Sequence, residues 1–338
     1  RENYYGGGGQ GLLDGTIVRG GFIEFSTSGN LNDGGFLNQA ANPSQTPTGL
    51  KNIQLNGGGL RWAPGNTIDI SPRLRLLNNF SFDLNGNDVS FATPLAGTGG
   101  MTKQGAGTLT LAPSNTYAGG TTVRGGFVQF SSLAALGSGT ATLDGGGLRW
   151  ASGNTADVTP RLQPLGAGGG VVDIGANNVN FSAPVTGTGP LTKLGTGTLT
   201  LNGAHPWTGA FVVNGGAVAV PGQATGKALI ALGAAPGSVA TMSVSGANAR
   251  LGSSEYLEVG SSGNGTLNVT DGAQVTSVTT TALAVNPGSS GEVNVTGNGS
   301  SLTTGTALFV GLQGPAVMTV GSGGVATVGQ LRLGEQPG

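Results

Sequence analysis

Residues 95–130, LAGTGGMTKQGAGTLTLAPSNTYAGGTTVRGGFVQF, return 90 positions later as residues 185–220, VTGTGPLTKLGTGTLTLNGAHPWTGAFVVNGGAVAV. A repeat of this length constrains architecture before chemistry. A unit too small to bury its own apolar face must bury it against its neighbours. Between the apolar positions stand turn formers: 68 of the 338 residues are Gly and 16 are Pro. Glycine at that level without a Gly-X-Y period is not collagen. Charged residues make up only 9% and apolar alternation runs throughout, which is not the charged, Val/Ile/Leu-poor profile of a disordered chain. Such a chain folds as many short strands joined by tight turns.

Taken in order, the sequence divides into four stretches. Residues 1–54 hold N-terminal coils, in which Thr16-Ile17-Val18-Arg19-Gly20-Gly21-Phe22 anticipates Thr121-Thr122-Val123-Arg124-Gly125-Gly126-Phe127. A polar insertion at 38–49, NQAANPSQTPTG, reads as a projecting loop. Residues 55–142 and 143–226 are two copies of a long unit. Gly57-Gly58-Gly59-Leu60-Arg61-Trp62 returns as Gly145-Gly146-Gly147-Leu148-Arg149-Trp150, and Asp69-Ile70-Ser71-Pro72-Arg73 as Asp157-Val158-Thr159-Pro160-Arg161. From 227 to 338 the period shortens to about 25 residues, and a last unit begins at Gln330.

Stacked units of this kind pair each strand in parallel with its equivalent one coil away. The expected fold is all-β, a parallel β-helix of about 22–25 residues per coil. At roughly 4.8 Å per strand, about 14 coils would make a rod of roughly 65 Å. Alternation sorts inside from outside: Leu109, Leu111, Leu267, Val269, Val293, Val295, Met318 and Val320 point in, and the intervening Thr, Ser and Asn point out. The exterior is then flat, weakly charged and rich in hydrogen-bonding groups. Both ends cut through a repeat, and RENYYGGGG carries no apolar leader, so the chain reads as a mature product or a piece of a longer one.

Two of these stretches have a recognisable likeness. Thr102-Lys103-Gln104-Gly105-Ala106-Gly107-Thr108-Leu109-Thr110-Leu111 followed by Asn115-Thr116-Tyr117-Ala118-Gly119-Gly120-Thr121-Thr122-Val123 resembles the passenger-associated transport repeat of bacterial autotransporters. The second copy departs from the pattern at His205-Pro206-Trp207 and Ala210-Phe211-Val212. The units at 227–338, in particular residues 258–273, are similar to another repeat of autotransporter passengers. The resemblance implies a right-handed β-helix exported by type V secretion and displayed outside a Gram-negative cell, anchored at its outer membrane. It also implies that the C-terminal part of such a passenger assists folding and export. An exported chain has reason to lack cysteine, and this one has none.

Candidate chemistry is sparse. His205 is the one histidine and no cysteine exists, whereas a zinc site takes three or four Cys, His or carboxylate ligands. A Ser-His-Asp triad would have only His205 for its base, and no G-x-S-x-G elbow occurs. Parallel β-helices host polysaccharide lyases and hydrolases, so Asp69, Asp83 and Asp88, with Asp157 and Asp173 in the second copy, are candidate carboxylates; such an enzyme needs two of them facing at about 5–9 Å. Asp88 has become Asn178 in the second copy, and the pairs Asp69 with Arg73 and Asp157 with Arg161 recur as structural ion pairs would. The glycine run at 6–14 lacks the Asp of a calcium nonapeptide, and no phosphate loop is present. In Leu60-Arg61-Trp62 alternation turns Trp inward and Arg outward.

The reading is of a non-enzymatic, extracellular, structural and adhesive β-helix that presents a Thr/Ser/Asn-rich surface for cell attachment, self-association or biofilm formation. No cofactor or metal is expected. Possible contact residues are Arg61 and Arg149 on the outer face and Asn38 and Gln45 in the polar loop. Expected partners are other copies of the chain, glycans or proteins of a host or surface, and the flanking parts of one precursor. The net charge of −1 offers no footprint for nucleic acid, and no apolar run approaches the roughly 20 residues of a membrane span. Two alternatives stay open: a polysaccharide-active enzyme, and a folding and export stalk for an upstream module.

Overall fold

The computed structural model describes residues 4–5, 16–26 and 53–334. The insertion at 38–49, with Asn38 and Gln45, and the glycine run at 6–14 lie outside them. The described residues form a parallel β-solenoid of about 12 turns with almost no helix. It comprises two compact units, residues 1–149 and 150–338.

In the first unit strands of two to four residues repeat along the turns. One sheet runs Ala141–Leu143, Thr121–Val123, Met101–Gln104, Phe80–Asp83, Gly59–Trp62 and Phe22–Phe25, all in parallel. A second runs Thr16–Val18, Ile53–Leu55 and Leu74–Leu76, with Tyr4–Tyr5 added antiparallel. The third holds Val89–Ser90, Thr108–Thr110 and Phe127–Phe130. Thr102 stands beside Thr122, and Thr122 beside Thr142, a step of 20 residues. Earlier steps are slightly longer, since Leu60 stands beside Phe82 and Phe82 beside Lys103.

The inward residues stack as well. Trp62 lies 4.9 Å from Phe25 and 5.7 Å from Phe82, and Phe82 lies 5.3 Å from Phe91, each pair edge to face. Every one of these rings is buried, and each such side chain contributes about 1.5–3 kcal/mol by leaving water. Close stacking of backbones demands glycine at the corners. A Cβ on Gly107 would sit 2.0 Å from the Asn87 carbonyl one turn below, at a φ of +85°. Its equivalent, Gly197, faces the Asn177 carbonyl at 1.9 Å.

In the second unit one sheet holds seven parallel strands: Val179–Phe181, Thr198–Leu201, Gly216–Val220, Val239–Ser245, Asn264–Thr270, Ser290–Thr296 and Ala316–Gly321. The step changes within it. Asn180, Thr200 and Ala219 follow at 20 and 19 residues; Ser243, Asn268, Asn294 and Thr319 then follow at 24 to 26. The opposing sheet explains the longer turn. Gln223–Leu232, Arg250–Val259 and Ser301–Val310 are single ten-residue strands. Each takes the place of two short ones: Gln274–Ser277 and Thr280–Leu283 both pair along Arg250–Val259. Register shifts at Ala224/Lys227 and Thr304/Ala307 mark the bends. Met242, Val244, Leu267, Val269, Val293 and Val295 are fully buried. Met318 and Val320 share their side by register, but in the last complete described turn Val320 is 45% exposed.

Candidate functional surface

Outward residues of the seven-stranded sheet form columns, one residue per turn. The central column reads Asn180, Thr200, Ala219, Ser243, Asn268, Asn294, Thr319. Beside it run Thr198, Ala217, Thr241, Thr266, Glu292 on one flank and Ser245, Thr270, Thr296 on the other. Neighbours in a column lie one strand spacing apart, about 4.8 Å, so short polar side chains can bridge turns. Asn294 Nδ2 donates to Asn268 Oδ1 at 3.0 Å, and Asn202 Nδ2 to Asn180 Oδ1 at 2.6 Å. Ser290 Oγ donates to Asn264 Oδ1, and Ser245 Oγ to Asp271 Oδ2. Those bonds hold the side chains in one orientation and lower the entropy lost when a partner docks.

Arg61 and Arg149 both lie on the outer face, in different settings. Arg61 Nε is 3.5 Å from a Glu24 carboxylate oxygen and 3.6 Å from one of Asp83, and Nη2 donates to Asn85 Oδ1. The Arg149 guanidinium carbon lies over the Phe127 ring, 4.3 Å from its centre, and Nη1 donates to Thr108 Oγ1. Trp62 and Trp150 are buried, with indole N–H groups donating to the Ile68 and Ala156 carbonyls.

The candidate carboxylates bond backbone of neighbouring turns. Asp69 accepts from the Ser71 and Ala92 N–H groups, Asp157 from those of Thr159 and Ser182, and Asp88 from that of Thr108. Asn178 performs the Asp88 task with its amide oxygen, accepting from the Thr198 N–H at 3.0 Å. An amide suffices there, so that position needs an acceptor and not an acid. Among the described residues no group of three His, Asp or Glu side chains is placed to hold a metal ion.

Lys103 and Lys193 stand in the sequence as single charges amid Gly and Thr. Both are fully buried, as is Lys227. Lys103 Nζ donates to the Gly105 and Gly125 carbonyls at 2.5 and 2.8 Å, and Lys193 Nζ to those of Gly195 and Gly215 at 2.9 and 2.7 Å. In each case one acceptor belongs to the lysine's own turn and the other to the next, so one cation ties two corners. Burial lowers both amines to about 8, against the pull of Asp83 and Asp88 on Lys103 and of Asp173 on Lys193. Alternation carried the signal: Met101 and Lys103 are two apart, so a buried Met101 puts Lys103 on the same side.

The family model of the passenger-associated transport repeat matches residues 101–130 and 191–220. The chain carries two autotransporter passenger repeats. It is also 29% identical over 317 residues to the adhesin BmaC autotransporter of Brucella suis biovar 1 (strain 1330), an alignment that covers 83% of this chain and 9% of that adhesin. The chain thus spans about a tenth of the length of that relative. No solved structure matches. Likeness to an autotransporter passenger makes this a secreted or cell-surface chain of a Gram-negative bacterium.

Each passenger repeat holds a buried corner near its middle, and the departures of the second copy fall there. In the first repeat Asn115 accepts from the Leu95 N–H and donates to the Ala112 and Ala135 carbonyls. In the second His205 stands at that place. Its Nδ1 accepts from the Val185 N–H at 3.3 Å, and Nε2 lies 2.8 Å from the Asn202 carbonyl. That pairing fixes the neutral tautomer protonated on Nε2. Burial holds the imidazole below its usual range, with Lys227 adding to the shift and the Asn202 carbonyl opposing it.

Proposed function

We propose that this chain is an extracellular, adhesive part of an autotransporter passenger, carried at the outer membrane and acting without catalysis. The observation that carries the reading is the set of outward Thr, Ser and Asn columns on the seven-stranded sheet. A single hydroxyl or amide binds weakly, but one per turn at a constant spacing gives many simultaneous contacts, and multivalency raises avidity without any strong single site. The partners that suit such a surface are repetitive themselves: a second copy of the chain, a glycan, or a regular protein surface. Arg61 and Arg149, on the outer face of the first unit, are further candidate contacts that would add charge, and Asn38 and Gln45 are candidates on the sequence alone. Likeness to a protein named as an adhesin supports this reading.

Deletion of residues 53–334 from the precursor tests it. Attachment or aggregation of the bearing cells is expected to fall while the remaining parts still reach the surface. Failure of those parts to be displayed would instead favour a folding and export stalk.

A further inference from the structure

The two repeat corners differ in one physical respect that their shared fold hides. The His205 N–H donates to the Gln223 carbonyl as the Asn115 N–H does to the Ala134 carbonyl. Counting two residues on from each, Leu136 and Thr225 occupy the same place. The Leu136 carbonyl accepts from the Thr121 hydroxyl, which also bonds the Tyr117 hydroxyl. In the second repeat Phe211 replaces Thr121 and has no donor, and the Thr225 carbonyl accepts from Lys227 Nζ at 2.9 Å. Lys227 also donates to the His205 carbonyl at 2.8 Å and to the Trp207 carbonyl, and its Nζ lies 3.8 Å from the centre of the Trp207 ring. A neutral hydroxyl network has been exchanged for a buried amine next to a buried imidazole.

We propose that the corner built from His205, Trp207 and Lys227 is an acid-operated latch: it opens locally when His205 takes up a proton at Nδ1, the atom that accepts the Val185 N–H, while the corner of the first repeat stays closed. The groups facing the pair are few. Lys227 lies opposite Ser253 on the adjoining strand, whose buried hydroxyl has no partner. Asp157 is the one carboxylate acting on His205, and its oxygens are already engaged by Ser182 and Thr159. Among the described residues neither Lys227 nor His205 forms an ion pair. The Trp207 indole N–H is buried without a partner, so the closed corner is already the less satisfied of the two.

The sign follows from linkage. Donation to three carbonyls needs the ammonium form of Lys227, so the closed corner already holds that proton, while burial and the Lys227 charge hold His205 below 6.5. The open corner therefore binds more protons than the closed one from about pH 6.5 downward. Opening becomes easier as pH falls. In the first corner Asn115, Thr121 and the Leu136 carbonyl take up no proton in this range.

Amide hydrogen exchange on the whole chain at pH 8.5 and 5.5, normalised to intrinsic rates, tests the latch. Between these conditions the protection of residues 202–211 is expected to fall several-fold, up to about tenfold, relative to residues 112–121, since each unmatched proton is worth tenfold per pH unit. His205→Asn, which installs the residue of the first repeat, and Lys227→Met should each shrink that difference. Equal responses of the two corners in the unaltered chain would overturn the proposal. So would a difference that keeps its full size in His205→Asn, the variant least apt to disturb folding.

Discussion

In the first repeat a buried corner is closed by an amide and two hydroxyls, those of Asn115, Tyr117 and Thr121. In the second, His205, Trp207 and Phe211 take these places, and a lysine from the next strand supplies the missing donors. At other corners equivalent bonds recur. Lys103 and Lys193 bond equivalent glycine carbonyls, and Asp88 and Asn178 accept from equivalent N–H groups. What is held constant is therefore the satisfaction of buried backbone groups, which costs about 1–3 kcal/mol per group when it fails. The side chains that provide it can be exchanged if their partners change with them.

The largest effects are expected where the copies must agree. Gly107→Ala and Gly197→Ala would each drive a Cβ into a carbonyl of the turn below, where only backbone movement can relieve it. Each should cost about 3 kcal/mol or more in chemical denaturation; a mild effect in one copy alone would break the equivalence. Next come the internal lysines. Lys103→Met leaves the Gly105 and Gly125 carbonyls without that donor and Lys193→Met those of Gly195 and Gly215, so each should lose about 2–4 kcal/mol. The same lysines set a pH dependence. Their amines titrate at about 8 in the fold and 10.5 in the unfolded chain, so the unfolded chain holds more protons between these values. Stability is expected to rise as pH goes from 8 to 10, and a denaturation midpoint that falls over that range would contradict the burial. Smaller still is Tyr117→Phe, which removes one hydroxyl from the Thr121 network at about 1 kcal/mol and has no counterpart in the second corner.

Much of this architecture was legible from residues. Thr-Leu-Thr-Leu alternation announces strands with one buried side, and the recurrence of Gly-Gly-Gly-Leu-Arg-Trp announces turns that stack. The ten-residue strands were not legible, because a bent strand such as Arg250–Val259 has the same local pattern as two short ones separated by Gly252-Ser253-Ser254. The buried lysines ran against expectation for charged residues, although Met101-Thr102-Lys103 already placed Lys103 inward. The role of Lys227 was out of reach in a linear reading. It answers the loss of a hydroxyl at Phe211, 16 positions earlier, and only the fold brings the Thr225 carbonyl to both.

The central claim is that the outward columns of the seven-stranded sheet bind. Cells displaying the precursor with Ser243→Ala, Asn268→Ala and Asn294→Ala together measure it most directly, with surface display quantified beside attachment. These side chains face out and the core beneath them is untouched, so display should stay at its original level. Attachment is expected to fall about tenfold or more as the shared contacts are lost. Unchanged attachment at unchanged display would contradict the account.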